Sequence, residues 1–296
     1  MVSPNTPTPP RNKYEAFLEV PEIANFINFY SKKFDLPVDL STKQGCDEFV
    51  TSIYPQLRIH KGFPATEGAR RDDAEQATAE WSNEEERTII YAATEVLGIN
   101  NKETSLTGEH EIVVALPGAY QANLDRPNFV INAIKNGEAE IKLLIFVGSK
   151  RKLSDAERAK IENYAPGTQT EFDAVKATFE KLSAENPGIS MRLIEIKNDQ
   201  EHTASIVDKV ASELDVDGEN MTFVTTEIYR LTTEIDVLRG LSGHNVLEKF
   251  VAGNPSDQTR VEQRANNPNE YYQEILKWLR SLANYKKELP WLFWSS

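Results

Sequence analysis

The chain has 296 residues, a formal net charge of −13 and a pI near 4.9. This acidic balance argues against a general nucleic-acid binder, which carries a basic surface, and against attachment to an anionic membrane. Hydrophobic residues make up 40% of the chain and charged residues 27%, which is typical of a soluble globular protein.

Cysteine usage and the apolar runs predict a cytoplasmic location. Cys46 is the single cysteine, so the chain has no internal disulfide, which fits a reducing compartment. The N-terminus lacks the apolar segment of a signal peptide, and apolar runs such as LLIFV at 143–147 are too short to span a bilayer. We therefore expect no membrane insertion.

The first third of the chain is predicted to be helical. Residues 1–12 are rich in proline and threonine and are expected to form a disordered tail. Residues 13–106 form a helical N-terminal region, in which apolar residues recur at helical spacing. Ser82 followed by Glu85 predicts a capping box for a helix that ends at Gly98.

The pattern changes after residue 106, and residues 107–254 are predicted to form a Rossmann-like domain. Strand-like runs alternate with helical patterns there, which predicts a mainly parallel sheet in a three-layer α/β sandwich. The runs are EIVVALPG (111–118), IKLLIFVGS (141–149), MRLIEIKND (191–199), MTFVTTE (221–227) and, as a candidate fifth strand, NVLEKFVAG (245–253). Capping boxes are predicted at Ser154 with Glu157 and at Thr168 with Glu171.

Residues 255–296 are predicted to be a C-terminal helix followed by an aromatic tail. The run EYYQEILKWLRSLANY is amphipathic, and PWLFWSS is expected to pack back onto the body of the protein.

Loops that follow the strands hold the first candidate site residues, because ligands bind beyond the carboxyl ends of the strands in such sheets. Gly118 follows the first strand and permits close approach of a phosphate-like group, with Arg126 near it as a positive charge; a simple tight turn explains the same glycine. Ser149 and Lys150 follow the second strand and open a basic patch, KRK, that suits an anionic ligand or forms a solvated loop.

The third strand is followed by the densest group of titratable residues. Glu195 or His202 is the candidate general base, with Thr203 next to His202 as a ligand-binding hydroxyl. Asp199 and Glu201 lie in the same loop, and an exposed polar loop that caps a helix is the alternative. Their spacing fits no strict metal-ligand pattern, so no metal site is predicted.

Two threonines end the fourth strand. The hydroxyls of Thr225 and Thr226, at the start of the following helix, suit an anionic or hydroxyl-bearing ligand. Both residues are equally explained as β-branched strand residues and a helix cap.

These segments together resemble the YdcF-like domain family, the SanA and ElyC group of domain of unknown function 218. The similar stretches are VVALPGAY, FVGSKRK with TEFDAV, EIKNDQEHTASIV and VTTEIYRLTTEI, within residues 109–250. Glu171, Glu195, Thr203 and the two threonines of the fourth strand fall on family positions, whereas Tyr229 stands where members carry a histidine. The resemblance implies a Rossmann-type fold and a nucleotide-like ligand, with S-adenosylmethionine as one candidate cofactor.

Two functional hypotheses follow from the sequence. The first is a binder of a nucleotide-like or other anionic small molecule, with hydrolase or transferase activity left open. The second is a non-catalytic Rossmann domain that acts as a protein-interaction scaffold, through the N-terminal helices or the C-terminal aromatic residues. The candidate anchors of the scaffold are Trp278, Trp291, Phe293 and Trp294, which are equally explained as part of the chain's own core.

Overall fold

A computed structural model describes residues 13–62, 83–99, 105–118, 120–197, 202–256 and 258–289. The chain divides into two compact units. The first consists of Met1–Gly98 together with Arg264–Ser296, and the second of Ile99–Gln263.

The elements follow in chain order. The N-terminal helices are α1 (Lys13–Leu18), α2 (Pro21–Phe34), α3 (Lys43–Glu48), α4 (Tyr54–Ile59) and α5 (Glu84–Val96), with a π-helical segment at Phe49–Ile53 between α3 and α4. The α/β elements are β1 (Gly108–Ala115), α6 (Tyr120–Lys135), β2 (Ala139–Ser149), α7 (Asp155–Ile161), α8 (Glu171–Glu185), β3 (Met191–Ile196), α9 (Thr203–Leu214), β4 (Asn220–Thr226), a 3-10 turn (Glu227–Tyr229), α10 (Arg230–Gly240) and β5 (Glu248–Asn254). The last helices are α11 (Gln258–Asn266) and α12 (Asn269–Glu288).

Helix α12 supplies much of the core of the helical unit. Its Trp278 and Tyr272 are fully buried, as are Phe26 and Tyr30 of α2. The rings of Tyr30 and Tyr272 lie 5.0 Å apart between centroids, a distance at which aromatic pairs attract. Trp278 is therefore a core residue, whereas the predicted anchors Trp291, Phe293 and Trp294 lie outside the described residues. The chain thus uses its two ends to build one helical core.

Helix starts follow local capping chemistry, and the structure corrects two of the predicted caps, those of α5 and α8. Asn83 caps α5, because its side chain accepts hydrogen bonds from the backbone N–H groups of Glu85 and Glu86; Ser82, the predicted cap, lies outside the described residues. The capping box of α7 is at Ser154 and Glu157, as predicted.

The capping box of α8 lies two residues after the predicted one. Thr170 and Asp173 form the box, whereas the Thr168 hydroxyl donates to the carbonyl of Ala165. Glu171, the predicted partner of Thr168, is instead engaged by Ser149.

The second unit contains a five-stranded, fully parallel sheet in the order β3-β2-β1-β4-β5, which confirms the Rossmann-like prediction and the fifth strand. Residues of α6 and α8 pack against one face of the sheet, and residues of α9 and α10 pack against the other. The result is a three-layer α/β sandwich. Within the described residues, no helix has both the length and the apolar character required to cross a bilayer.

Candidate functional site

The strand order places a switch point between β1 and β4. The chain leaves β1 toward α6 on one face of the sheet and leaves β4 toward α10 on the other. A crevice therefore opens beyond the carboxyl ends of these two strands, and this is where ligands bind in open α/β sheets. The residues at its mouth are Leu116–Gly118 after β1 and Thr225–Thr226 at the end of β4.

Arg126 ties the two strand ends together. Its side chain extends from α6, is only 3% exposed, and donates from Nη1 to the carbonyls of Leu116 at 2.7 Å and Pro117 at 2.8 Å. Its Nη2 donates to the hydroxyl of Thr226 at 3.2 Å. A buried guanidinium is costly unless its donors are satisfied, so these acceptors hold the cation at the switch point.

Gly118 and Asn123 connect the end of β1 to α6. The Gly118 N–H donates to Oδ1 of Asn123 at 2.9 Å, which fastens the loop after β1 to the first turns of α6. A side chain at position 118 would bring its Cβ within 2.9 Å of the Ala122 Cβ and 3.1 Å of Nη1 of Arg126. Glycine is required here because α6 approaches the loop too closely for any Cβ.

Asn123 also carries an amide group that the protein leaves unsatisfied. The residue is 5% exposed and lines a narrow internal space between α6, α8 and the ends of β1 and β2, and its Nδ2 has no hydrogen-bond partner among the described residues. The other walls of this space include Pro127, Phe146 and Val175, and the space is too narrow for a water molecule. A buried N–H donor without an acceptor is unusual in folded proteins, and a ligand acceptor would satisfy this one only where the space beside it widens.

The two threonines of β4 point to opposite faces of the sheet, since side chains alternate along a strand. Thr226 faces Arg126, as described above. Thr225 is buried on the other face, with its Oγ1 3.5 Å from that of Thr233 in α10. The structure therefore brings Thr226, and not Thr225, into contact with Arg126.

Ser149 and Glu171 belong to a separate, buried network. The Ser149 hydroxyl donates to Oε2 of Glu171 at 2.6 Å, and Nη2 of Arg151 donates to Oε1 of the same carboxylate at 3.2 Å. Arg151 also forms a two-pronged contact with Glu157 at 3.0 and 3.1 Å. Two carboxylates therefore neutralise the central cation of the basic patch.

Glu157 is kept ionised within this network. Burial acts to raise the pKa of its carboxyl, but the hydrogen bonds from Arg151 and from Ser154 outweigh burial and hold the pKa below its ordinary value of 4.5. Arg151 thus fastens the loop after β2 to the start of α8.

The remaining predicted residues lie at the β3 side of the same edge. Lys150 approaches Glu195 with a 3.4 Å ion pair between two exposed side chains. His202 precedes α9, is exposed and makes no capping hydrogen bond, and Thr203 is the first residue of that helix. Asp199 and Glu201 lie outside the described residues. In the part of the chain that is described, no three His, Cys, Asp or Glu residues are grouped to hold a metal ion.

The predicted residues therefore fall into separate groups along one edge of the sheet. Gly118 and Thr226 meet at Arg126, Ser149 contacts Glu171, and Lys150 pairs with Glu195. Sequence analysis missed Asn123. Its position three residues before Arg126 could have identified it, because residues at this spacing lie on the same face of a helix.

No protein-family model, curated protein or solved structure matches this chain. The resemblance to the YdcF-like family therefore remains a hypothesis, and function is argued from the residues of the sheet edge.

Proposed function

We propose that this chain binds a small anionic molecule, with nucleotide-like ligands as the leading class, at the switch point between β1 and β4. The observation that carries the proposal is the buried Nδ2 donor of Asn123, on the same face of α6 as Arg126. A cation and an amide N–H at one strand edge favour a carboxylate or phosphate oxygen.

The ligand is expected to rest over the mouth of the crevice. The space beside Asn123 must widen for a ligand oxygen to reach Nδ2, because that space admits no water molecule in this structure. The backbone around Gly118 and the hydroxyl of Thr226 border this position. Lys150, Glu195 and His202 lie farther along the same edge of the sheet, at or after the ends of β2 and β3. These three residues would reach a ligand long enough to extend along that edge.

The finer assignments remain part of the proposal. The resemblance to the YdcF-like family favours S-adenosylmethionine or another nucleotide, with hydrolase and transferase as the reaction classes to test. Glu195 and His202 are the residues proposed as general base. The single cysteine supports a cytoplasmic protein.

A ligand screen by thermal shift tests the proposal. The panel contains nucleotides, S-adenosylmethionine and sugar nucleotides; a ligand at about 100 times its Kd adds roughly 2.7 kcal/mol to the free energy of unfolding. For each ligand that binds, affinity is compared between the wild type and Asn123→Asp. This variant keeps the Oδ1 acceptor for Gly118 and replaces the donor with a carboxylate oxygen that repels an anion.

The matched control is Asn132→Asp, the same chemical change on the exposed face of α6. We expect Asn123→Asp to weaken anion binding about tenfold or more, and Asn132→Asp to leave it within about twofold. Equal binding by the wild type and Asn123→Asp would show that the ligand does not use the switch point. A flat response across the whole panel would contradict the proposed function.

One observation supports the scaffold as a second candidate. Leu247 is 67% exposed and directly precedes β5, and Phe250 is 49% exposed and lies within β5, an edge strand of the sheet. An edge strand with exposed apolar side chains accepts a further strand, here from a second copy of the chain. Concentration-dependent dimerisation that the double variant Leu247→Ser, Phe250→Ser abolishes would support this candidate, and a monomer at all concentrations would contradict it.

A further inference from the structure

The helical unit contains a cleft that is distinct from the sheet edge. Its volume is about 340 Å³, and an apolar cavity of about 150 Å³ already holds a benzene ring. Leu18 at the end of α1, Ile27 of α2 and Val38, which precedes α3, line the cleft and are each half-buried. These aliphatic side chains lose contact with water when an apolar group covers them, which favours such an occupant.

The charged groups in the cleft wall are already engaged by the protein. Lys286 of α12 is 2% exposed, and its ammonium donates to the carbonyl of Leu40 at 2.8 Å and attracts the carboxylate of Asp39. That carboxylate also accepts hydrogen bonds from the backbone N–H and the hydroxyl of Ser41 at 2.8 and 2.6 Å. Glu19, the third charged residue of the wall, is exposed to water. The opposite charges of Lys286 and Asp39 compensate each other, so the cleft favours a neutral occupant over an ion.

The chain itself provides a neutral, apolar segment that begins next to the cleft. Leu289 is the last described residue, and the residues that follow, 290–296, read PWLFWSS, with four large apolar side chains and no charged side chain. Each residue advances a chain by at most about 3.6 Å, so Trp291 lies within about 18 Å of Lys286, whose side chain lines the cleft. The aromatic tail is therefore long enough to reach the cleft from the end of α12.

We propose that the aromatic tail of the same chain, residues 290–296, folds back and fills this cleft, with a tryptophan ring against Leu18, Ile27 and Val38. Aromatic side chains bury more apolar area than other residues, which suits the aliphatic walls. Indole also has an N–H that requires an acceptor when it is buried, and the wall supplies the carboxylate of Asp39. The tail thereby completes the helical unit and does not serve as an anchor for a partner protein.

Disulfide trapping in the full chain tests the position of the tail. The double variant Val38→Cys, Leu292→Cys places one thiol in the cleft wall and one in the tail. The control is Asn28→Cys, Leu292→Cys, because Asn28 is the exposed neighbour of Ile27 on α2, and buried Cys46 is common to both variants. A disulfide requires Cα atoms within about 7 Å, so we expect the first pair to form an intramolecular disulfide about tenfold faster or more. Mass spectrometry after mild oxidation measures both rates.

Two results of the trapping experiment would overturn the proposal. Equal rates for the two pairs would show that the tail does not lie at the cleft. A disulfide that joins two chains, in place of one within a chain, would show that the tail of a second copy is the occupant.

A charge placed in the cleft wall should release the tail. Ile27→Asp introduces a carboxylate among the aliphatic side chains, whereas Asn28→Asp introduces the same charge at an exposed position. Chymotrypsin cuts after aromatic residues, and we expect it to shorten the tail about tenfold faster in Ile27→Asp than in the wild type, and within about twofold of the wild type in Asn28→Asp. The mass of the intact chain during digestion measures the loss. Equal rates in Ile27→Asp and the wild type would show that the cleft does not hold the tail, and should Ile27→Asp fail to fold, the trapping experiment decides.

Discussion

At the scale of single residues, the position of Arg126 predicts a large effect on stability. Replacement by methionine keeps the length of the side chain but removes the donors to the carbonyls of Leu116 and Pro117 and to Thr226. Buried carbonyls without partners cost about 1–3 kcal/mol, so Arg126→Met should lower the free energy of unfolding by at least that amount. Urea denaturation measures the change.

Arg192→Met is the matched control for this experiment. Arg192 pairs with Glu213 where both side chains are 46% exposed, and exposed pairs contribute about 0–1 kcal/mol. Equal losses in the two variants would show that the contacts of Arg126 do not stabilise the strand ends.

Glu86 predicts a specific dependence on pH. It is 1% exposed, and its carboxylate accepts hydrogen bonds from Tyr30 at 2.7 Å and Lys33 at 2.9 Å and pairs with Lys61 at 2.6 Å. Burial acts to raise the pKa of Glu86, but these partners outweigh burial and lower the pKa below 4.5. A lowered folded-state pKa stabilises the fold above the unfolded value, and that stability is lost as pH falls through the folded value.

Glu86→Gln should therefore lose about 3–5 kcal/mol at neutral pH, because it removes the carboxylate that pairs with buried Lys61 at 2.6 Å. The difference from the wild type should shrink as pH falls well below 4.5. Urea denaturation at neutral and acidic pH measures both values, with exposed Glu85→Gln as the control. A difference that stays constant with pH would contradict the assignment.

At the scale of elements, the packing of α8 on β2 depends on one glycine. A Cβ at Gly148 would lie 2.8 Å from the backbone Cα of Phe172 and 3.2 Å from the Cβ of Val175. Gly148→Ala must push the helix away from the strand, and we expect a loss of about 1–3 kcal/mol on urea denaturation. Gly188→Ala is the control, since a Cβ there meets no atom within 4 Å. A Gly148→Ala variant as stable as this control would disprove the close packing.

Elements were predictable from sequence wherever the signal is local. Polar segments separate the β-branched runs, so the sequence shows where the five strands lie. The runs alternate with helices, which implies that the strands pair in parallel. The cap of α8 did not follow, because TQTEFD offers two boxes of equal spacing. The structure uses Thr170 with Asp173, while Ser149, which is distant in sequence, holds Glu171. The position of this cap depends on a tertiary contact, that of Ser149 with Glu171, and the local sequence pattern does not contain that information.

The site was less predictable than the fold for the same reason. The edge of the sheet follows from strand direction alone, but the partners at that edge depend on the rotation of each helix. Rotation of α6 aims Asn123 and Arg126 at the loop after β1, and strand alternation separates Thr225 from Thr226. Sequence reasoning pointed to this edge of the sheet and could not sort these side chains between its two faces.

At the scale of the whole molecule, the two units predict different behaviour when the chain is divided. Residues 99–263 form one continuous unit with its own two-faced core, so this fragment should fold alone and unfold cooperatively in urea. The helical unit is discontinuous, and its core requires Tyr272 and Trp278 of α12. Residues 1–98 alone should therefore show no cooperative transition, and co-expression with residues 264–296 should restore one. Circular dichroism during urea titration reports each transition. A cooperative transition of residues 1–98 alone, or none for residues 99–263, would contradict this division, because burial of aromatic side chains from both ends is what makes the helical core stable.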